Sequence, residues 1–361
     1  MAAEPPDDPF DQDPYQPDPD GPTGDAVRRT WRPVDLSTVL DGSWKAPEPT
    51  IGRRDDGRGL FYPGKAHTVV SETEGGKTWL STACALTEMD RGNHVVYIDF
   101  EDDEGSITNR LLILGAQREL IRAQFHYVRP EESLLMGSSV ADLDDLLATH
   151  RPTLAVLDGV TEGMALHGLD PNKNPDAALF GRMLTKRLTD AGAAAVSLDH
   201  VVKDRENRGR YALGAVHKIN GLTGAQYILT NTQPFGVGLT GRSKLAIAKD
   251  RPGRLRVNAL PSAGGLHWYG NLVVQSHGDG LAEVTIEPPH ERTDDFRPTV
   301  LMERISEALA EHGPLAQRRI VAAVTGKTDS IRAAIDYLIL DGYVTEKTPH
   351  ELIKPYQEAQ S

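Results

Sequence analysis

Cysteine is almost absent from this chain of 361 residues: Cys84 stands alone. That excludes an intrachain disulfide and any zinc site built from cysteines. Its place inside the apolar run Trp79 to Leu86 predicts a small buried hydrophobe. Long apolar runs are missing too. None reaches the roughly 20 residues that cross a bilayer, and the N-terminus lacks the features of a secretory leader. Together these predict a reducing, cytoplasmic setting with no membrane partner. Lysine and arginine are absent from residues 1–25, which carry eight acidic groups and many prolines. Such a composition cannot bury enough apolar surface to offset the entropy of ordering, so residues 1–30 are expected to form a disordered acidic tail. Setting those eight charges aside leaves about −5 of the net −13. Basic residues then gather in two stretches, Lys203 to Arg210 and Arg242 to Arg256, the second with six Lys or Arg against one Asp. A basic inner surface on an acidic protein suits a channel that admits a nucleic-acid strand.

The length suggests two domains, or one large domain with an appendage. After the tail, residues 31–62 read as an N-terminal arm with scattered apolar anchors and many turn residues. From residue 63 to 286, short apolar strands alternate with helices: Val69-Val70, Lys77–Arg91, His94–Phe100, Gly105–Leu114, Phe125–Val128, Val140–Thr149, Thr153–Asp158, Ala177–Ala191 and Ala194–Leu198. That pattern predicts an α/β fold, a parallel sheet covered on both faces. Beyond Gly224 the runs Gln226–Thr230, Lys244–Ala248 and Leu281–Ile286 suit an antiparallel extension of the same sheet. Residues 287–297 read as a linker. In residues 298–348, helices Val300–His312, Gln317–Val324 and Thr328–Leu340 precede Asp341–Thr345, the outline of a small winged-helix domain. Residues 349–361 are left as a C-terminal tail.

The most informative residues are Lys77 and Thr78, closing Ser71-Glu72-Thr73-Glu74-Gly75-Gly76-Lys77-Thr78. An apolar strand precedes this loop, and a helix opening on Lys77, Thr78 and Trp79 follows it, as in a nucleotide-phosphate cradle. Loop N–H groups and the positive end of the helix would face the phosphates. Lys77 would neutralise the β- and γ-phosphates, and the Thr78 hydroxyl would ligate Mg²⁺. Ser71 stands where the pattern has its first glycine. An ordinary strand-to-helix turn is the competing reading. Gly326-Lys327-Thr328 repeats the dipeptide superficially, but no strand precedes it.

Hydrolysis of ATP needs a metal-linked acid and a group that activates water. Asp158 ends an apolar strand, where a carboxylate holds Mg²⁺ in such enzymes; a helix-capping Asp is the alternative. Glu101 ends the strand Val95–Phe100, expected to lie beside the phosphate-loop strand, where it could deprotonate the attacking water. Asp99, Asp102, Asp103 and Glu104 crowd it. His200 follows Ala194–Leu198, placed either to sense the γ-phosphate or simply as a structural histidine. Together Gly-Lys-Thr, Tyr97-Ile-Asp-Phe-Glu101-Asp102 with Arg110-Leu111, Leu157-Asp158 and Asp199-His200-Val-Val-Lys203 resemble the RecA-type replicative helicases, in particular the RepA/DnaB-type hexameric group of plasmids and phages, over about residues 50–260. The resemblance implies a RecA-like fold, Glu101 as catalytic base, Asp158 as metal ligand, His200 as γ-phosphate sensor, and a hexameric ring with ATP at the subunit interfaces. Lys249 and Arg251, in Ala248-Lys-Asp-Arg-Pro-Gly253, are similar to the Lys-x-Arg finger that acts in trans; a charged hairpin tip is the plainer alternative. The plasmid-type finger position, near Thr223–Gln226, holds no arginine.

Two loops would face the pore of such a ring. Gly163–Asp176 contains His167 and Lys173. Val201–Lys218 carries Lys203, Arg205, Arg208 and Arg210, which would attract strand phosphates without sequence preference. Residues 297–361 hold eight Lys or Arg against nine Asp or Glu, so the winged helix suits a replication partner protein or a structural role as well as DNA. The expectation is an oligomeric, Mg²⁺-dependent ATPase coupling hydrolysis to movement on single-stranded DNA. A recombination or repair ATPase and an ATP-gated DNA-binding regulator are the rival readings.

Overall fold

A computed structural model describes residues 33–200, 221–277, 280–289 and 298–357. It divides into two units, residues 1–46 and 47–361. In the first, the described residues form one helical turn, α1 (Ser37–Leu40).

The second unit is built on a ten-stranded sheet, in which one path runs β10-β9-β7-β6-β1-β5-β4-β2-β3 and β8 pairs with β9. The strands are β1 (Ala66–Ser71), β2 (Val95–Asp99), β3 (Phe125–Val128), β4 (Leu154–Asp158), β5 (Ala194–His200), β6 (Ala225–Gln233), β7 (Thr240–Asp250), β8 (Leu260–Ser262), β9 (Leu266–Ser276) and β10 (Ala282–Glu287). Strands β1 to β6 pair in parallel, and β7 to β10 are antiparallel. The fold is therefore the expected α/β, RecA-like parallel sheet with an antiparallel extension. Two details differ from expectation. Strand β6 belongs to the parallel part, through the register Thr68↔Gln226, so the antiparallel extension begins one strand later. Strand β2 does not lie beside β1, because β5 and β4 stand between them. Apolar runs specify that a strand is buried, not which neighbour it takes.

Side-chain alternation explains the two covered faces. Val95, Tyr97, Leu154, Val156, Ala194 and Val196 point into one core. Into it α2 (Lys77–Asp90) and α3 (Glu104–Ile113) insert Leu80, Cys84, Met89, Ile107 and Leu111. Val96, Ile98, Ala155, Leu157 and Ala195 face the other core. There they meet α5 (Ser139–His150), α6 (Val160–Leu166) and the helical run α7 (Asn174–Phe180), a π turn (Gly181–Thr185) and α8 (Lys186–Asp190). A short helix, α4 (Arg118–Gln124), leads into β3 and had no clear signal in the sequence. Cys84 is buried as expected, and burial pushes its thiol up to about 12.

The segment read as an arm ends inside this unit: Ile51 bridges Phe61, and Leu60, Phe61 and Tyr62 are fully buried. The C-terminal region has a core of its own. It comprises α9 (Thr299–His312), α10 (Gln317–Ala323) and α11 (Thr328–Leu340), with antiparallel bridges Leu315↔His350 and Val344↔Leu352. The stretch from 349 onward thus carries two bridge partners, and Tyr356 packs on the same core. Among the described residues, no helix is long and apolar enough to cross a membrane.

Candidate nucleotide site

Strand β1 stops at Ser71 and α2 starts at Lys77, so the loop between them projects from the carboxyl edge of the parallel strands, where ligands bind in open α/β sheets. The loop needs its glycines for separate reasons. Gly76 caps α2 at φ 95°, a left-handed conformation costly for side-chain-bearing residues. A Cβ there would also meet Phe235 at 2.8 Å and Leu272 at 2.9 Å. On Gly75, a Cβ would fall 2.4 Å from the Ser71 Oγ. Ser71 thus occupies space that Gly75 leaves open, which explains how the loop closes without its usual first glycine. The Ser71 hydroxyl donates to the Glu72 carbonyl at 2.6 Å, and Ser243, from the start of β7, donates to the Gly75 carbonyl at 2.9 Å. Glu72, Thr73 and Glu74 are exposed, and Glu74 takes the left-handed φ of 60°. Trp79, at the start of α2, is half-buried and packs against the core.

Lys77 is buried and folded back over the loop. Its ammonium donates to the Ser71 Oγ at 3.1 Å, and it sits 3.3 Å from His200 Nδ1. An ammonium only donates, so this Nδ1 is the accepting nitrogen and the proton lies on Nε2. That Nε2 is 3.9 Å from a Glu101 carboxylate oxygen. Burial lowers the Lys77 pKa, opposed by Asp158, Glu101 and Asp199. The lysine is therefore poised between desolvation and three carboxylates, an environment that an anion such as a phosphate would improve.

Asp158 ends β4 opposite Asp99 at the end of β2. Tyr97 donates to Asp158 at 2.6 Å, and the Gly159 N–H donates at 3.1 Å. Burial dominates nonetheless and raises the Asp158 pKa to about 6, with Asp99 and Glu101 adding to the rise. A buried carboxylate among other carboxylates is a site that a cation would relieve, and the half-buried Thr78 stands one residue beyond Lys77. The donor set, carboxylate plus hydroxyl oxygen, fits Mg²⁺.

Asp99 is fully buried and accepts from the N–H groups of Glu101 and Asp102, both at 2.9 Å, and from the Tyr127 hydroxyl at 3.0 Å. It ties down the turn that presents Glu101. Gly159 completes the approach, since a Cβ there would lie 2.9 Å from the Glu101 Cβ. Glu101 therefore reaches His200 across the one intervening strand, β4, through its position beyond the strand end. The structure brings together Ser71, Lys77, Glu101, Asp158 and His200. Tyr127 and Ser243 are supporting residues that sequence reasoning missed, while Tyr97 and Asp99, named there beside Glu101, receive their supporting roles only from these contacts. A tyrosine two residues before Asp99 on a strand carries the signal for one face, but only the register Tyr97↔Val156 reveals its partner.

The other expected residues lie elsewhere. Lys249 pairs with Gln226 on the row of Thr68, three residues before Ser71 along β1, and Arg251 follows it. Three residues of strand make about 10 Å, so neither belongs to the site formed by its own chain. Gly163–Asp176 is not an open loop: Gly163 lies within α6, and α7 begins at Asn174. His167 is held at both nitrogens, by the Gly163 carbonyl at 2.6 Å and the Leu134 N–H at 3.0 Å, while Lys173 sits 3.9 Å from Asp170. That histidine is structural. Lys203, Arg205, Arg208 and Arg210 lie outside the described residues.

Residues 31–206 match the family model described as an AAA domain, a P-loop ATPase family. The match contains the phosphate loop, Glu101, Asp158 and His200. Comparison with curated proteins gives no match.

Proposed function

We propose that this protein is an oligomeric ATPase that couples Mg²⁺-ATP hydrolysis to binding and movement on single-stranded DNA, as a replicative helicase of a plasmid or phage would. The observation that carries the catalytic half is the Lys77–His200–Glu101 chain of contacts beside Asp158, at the carboxyl edge of the sheet.

In this reading the loop N–H groups and Lys77 bind the β- and γ-phosphates, and Lys77 exchanges Ser71 for phosphate oxygen. Thr78 and Asp158 would hold Mg²⁺, which neutralises charge on the phosphates. Glu101, fixed by Asp99, takes a proton from the attacking water as the new bond to the γ-phosphorus forms and the bond to the β-phosphate oxygen breaks. His200 lies between Lys77 and Glu101. A change at the γ-phosphate that moves Lys77 would be felt through His200 at the end of β5, whose continuation is the basic segment holding Lys203, Arg205, Arg208 and Arg210. This supports a sensor role for His200 and a DNA-contacting role for that segment.

Lys249 and Arg251 sit on a row away from their own chain's site, which suits delivery of positive charge to a neighbouring subunit in a ring, a hexamer in this reading. The C-terminal helices and their paired bridges have the outline of a winged helix. Its near-neutral charge suits a replication partner protein as well as DNA.

ATP turnover measured with and without single-stranded DNA, at low and high salt, tests the proposal. Strong stimulation by the strand, lost at high salt, is the expected result. Hydrolysis indifferent to DNA would refute the motor reading and favour an ATP-gated regulator.

A further inference from the structure

We propose that His94, His126 and His150 form a binding site for a divalent transition metal of the zinc class, at the amino edge of the parallel strands and remote from the phosphate loop. His94 immediately precedes β2, His126 is the second residue of β3, and His150 is the last residue of α5. One ring nitrogen from each lies within 4.8 Å of the others. His94 Nδ1 and His126 Nε2 are already 3.0 Å apart. Ligand nitrogens about 2.0–2.1 Å from a tetrahedral zinc are roughly 3.4 Å from one another. The trio is thus close to a coordinating set. The His126 and His150 rings stack with centroids 3.7 Å apart, so binding turns them about their side-chain torsions until the lone pairs converge.

The scaffold holds the three backbones in register. Val95, next to His94, pairs with both Phe125 and Leu154, and the Thr153 N–H donates to the His94 carbonyl at 3.0 Å. Arg151 takes the left-handed φ of 43°, turning the chain sharply after His150. The carbonyl end of α5 faces its last residue with partial negative charge, which favours a cation there. All three rings are half-buried, and among the described residues none is ion-paired with a carboxylate.

The donor chemistry identifies the class of ion. Three imidazole ligands with no thiolate or carboxylate select Zn²⁺, Co²⁺, Ni²⁺ or Cu²⁺ and reject Mg²⁺, which prefers oxygen. The site would thus load independently of the Mg²⁺ ligands at the other end of β4. A bound ion would fasten the terminal strand β3 to β2 and to the end of α5. Without an ion, three histidines packed on one another are the competing explanation.

Titration of the full chain with Co²⁺, followed by visible absorption and by displacement with Zn²⁺, decides between them. One equivalent of cobalt with a tetrahedral spectrum, undisturbed by millimolar-range Mg²⁺, is expected, along with a zinc-dependent rise in the unfolding midpoint. His126→Asn and His150→Gln, each checked for folding by circular dichroism, should weaken binding at least ten- to hundred-fold, the cost of losing even an outer partner. Lys77→Ala should leave it unchanged. No cobalt or zinc uptake by the wild-type chain would overturn the proposal. So would uptake that both histidine variants retain, since the ion would then sit on other histidines.

Discussion

Replacing Asp158 with Asn should stabilise the nucleotide-free protein. Burial raises the Asp158 pKa from 3.8 to about 6. A carboxyl group whose pKa is raised on folding binds its proton more tightly in the folded state. Its ionisation therefore costs stability above the folded pKa, and the cost is relieved as pH falls from about 6 towards 3.8. Two units at 1.36 kcal/mol each make the penalty about 3 kcal/mol near pH 7. Asparagine has nearly the same shape and no charge, and it can keep the Gly159 contact and turn its amide to the Tyr97 oxygen. Allowing for imperfect pairing of that amide, we expect a gain of about 2 kcal/mol, a rise in unfolding midpoint of roughly 4–8 °C. Thermal unfolding without Mg²⁺ or nucleotide, at pH 7.5 and again at pH 4, reads this directly. The gain should be large at pH 7.5 and nearly gone at pH 4. In the same variant the stabilisation of wild type by Mg²⁺-ATP should be much reduced. A destabilised variant at pH 7.5, or a gain equal at both pH values, would mean that no desolvated carboxylate waits there for a cation.

Tyr97→Phe should act in the opposite sense on the same group. Removing a 2.6 Å bond to a carboxylate costs about 1.5–3 kcal/mol. That is one to two pH units upward for the midpoint of Mn²⁺ binding, seen by titration in the presence of nucleotide; an unmoved midpoint would dismiss Tyr97 as a tuning residue. Gly76→Ala forces a left-handed alanine, at about 1–2 kcal/mol, and drives its Cβ against Phe235 and Leu272. We expect a loss of at least about 2 kcal/mol in denaturant unfolding and weakened nucleotide binding.

How far the sequence could carry these inferences depends on what each residue type encodes locally. The order of strands and helices was legible because apolar runs and turn residues alternate from Val69 to Leu198. The phosphate loop was legible because Gly75, Gly76, Lys77 and Thr78 are contiguous. Strand neighbours were not, and so β2 was expected beside β1 when β5 and β4 separate them. Glu101 still arrives at His200, because its reach is set by the turn that Asp99 fixes and by the bare Cα of Gly159. Tyr127 and Ser243 were invisible as site residues, and the tie of Tyr97 to Asp158 was not legible, since a tyrosine in a strand reads as core until the partner strand is known. His167 looked like a loop histidine because Val160–Leu166 is too short a run to announce a helix. The three histidines at 94, 126 and 150 are far apart in sequence and meet only through the register Val95↔Phe125 and the end of α5.

If Lys77, Glu101 and Asp158 make an ATP-hydrolysing centre, binding and turnover should separate at Glu101. ATP binding and steady-state hydrolysis should be measured side by side for the wild type, Glu101→Gln and Lys77→Ala. Glutamine at 101 keeps the size of the side chain and the turn built on Asp99, but removes the proton acceptor. Glu101→Gln should leave ATP binding unimpaired, reduce hydrolysis at least about 100-fold, the scale of lost general-base assistance, and trap the oligomer with ATP. Lys77→Ala should abolish hydrolysis. Wild-type turnover by Glu101→Gln would mean that Glu101 is not the base and that hydrolysis does not occur at this centre.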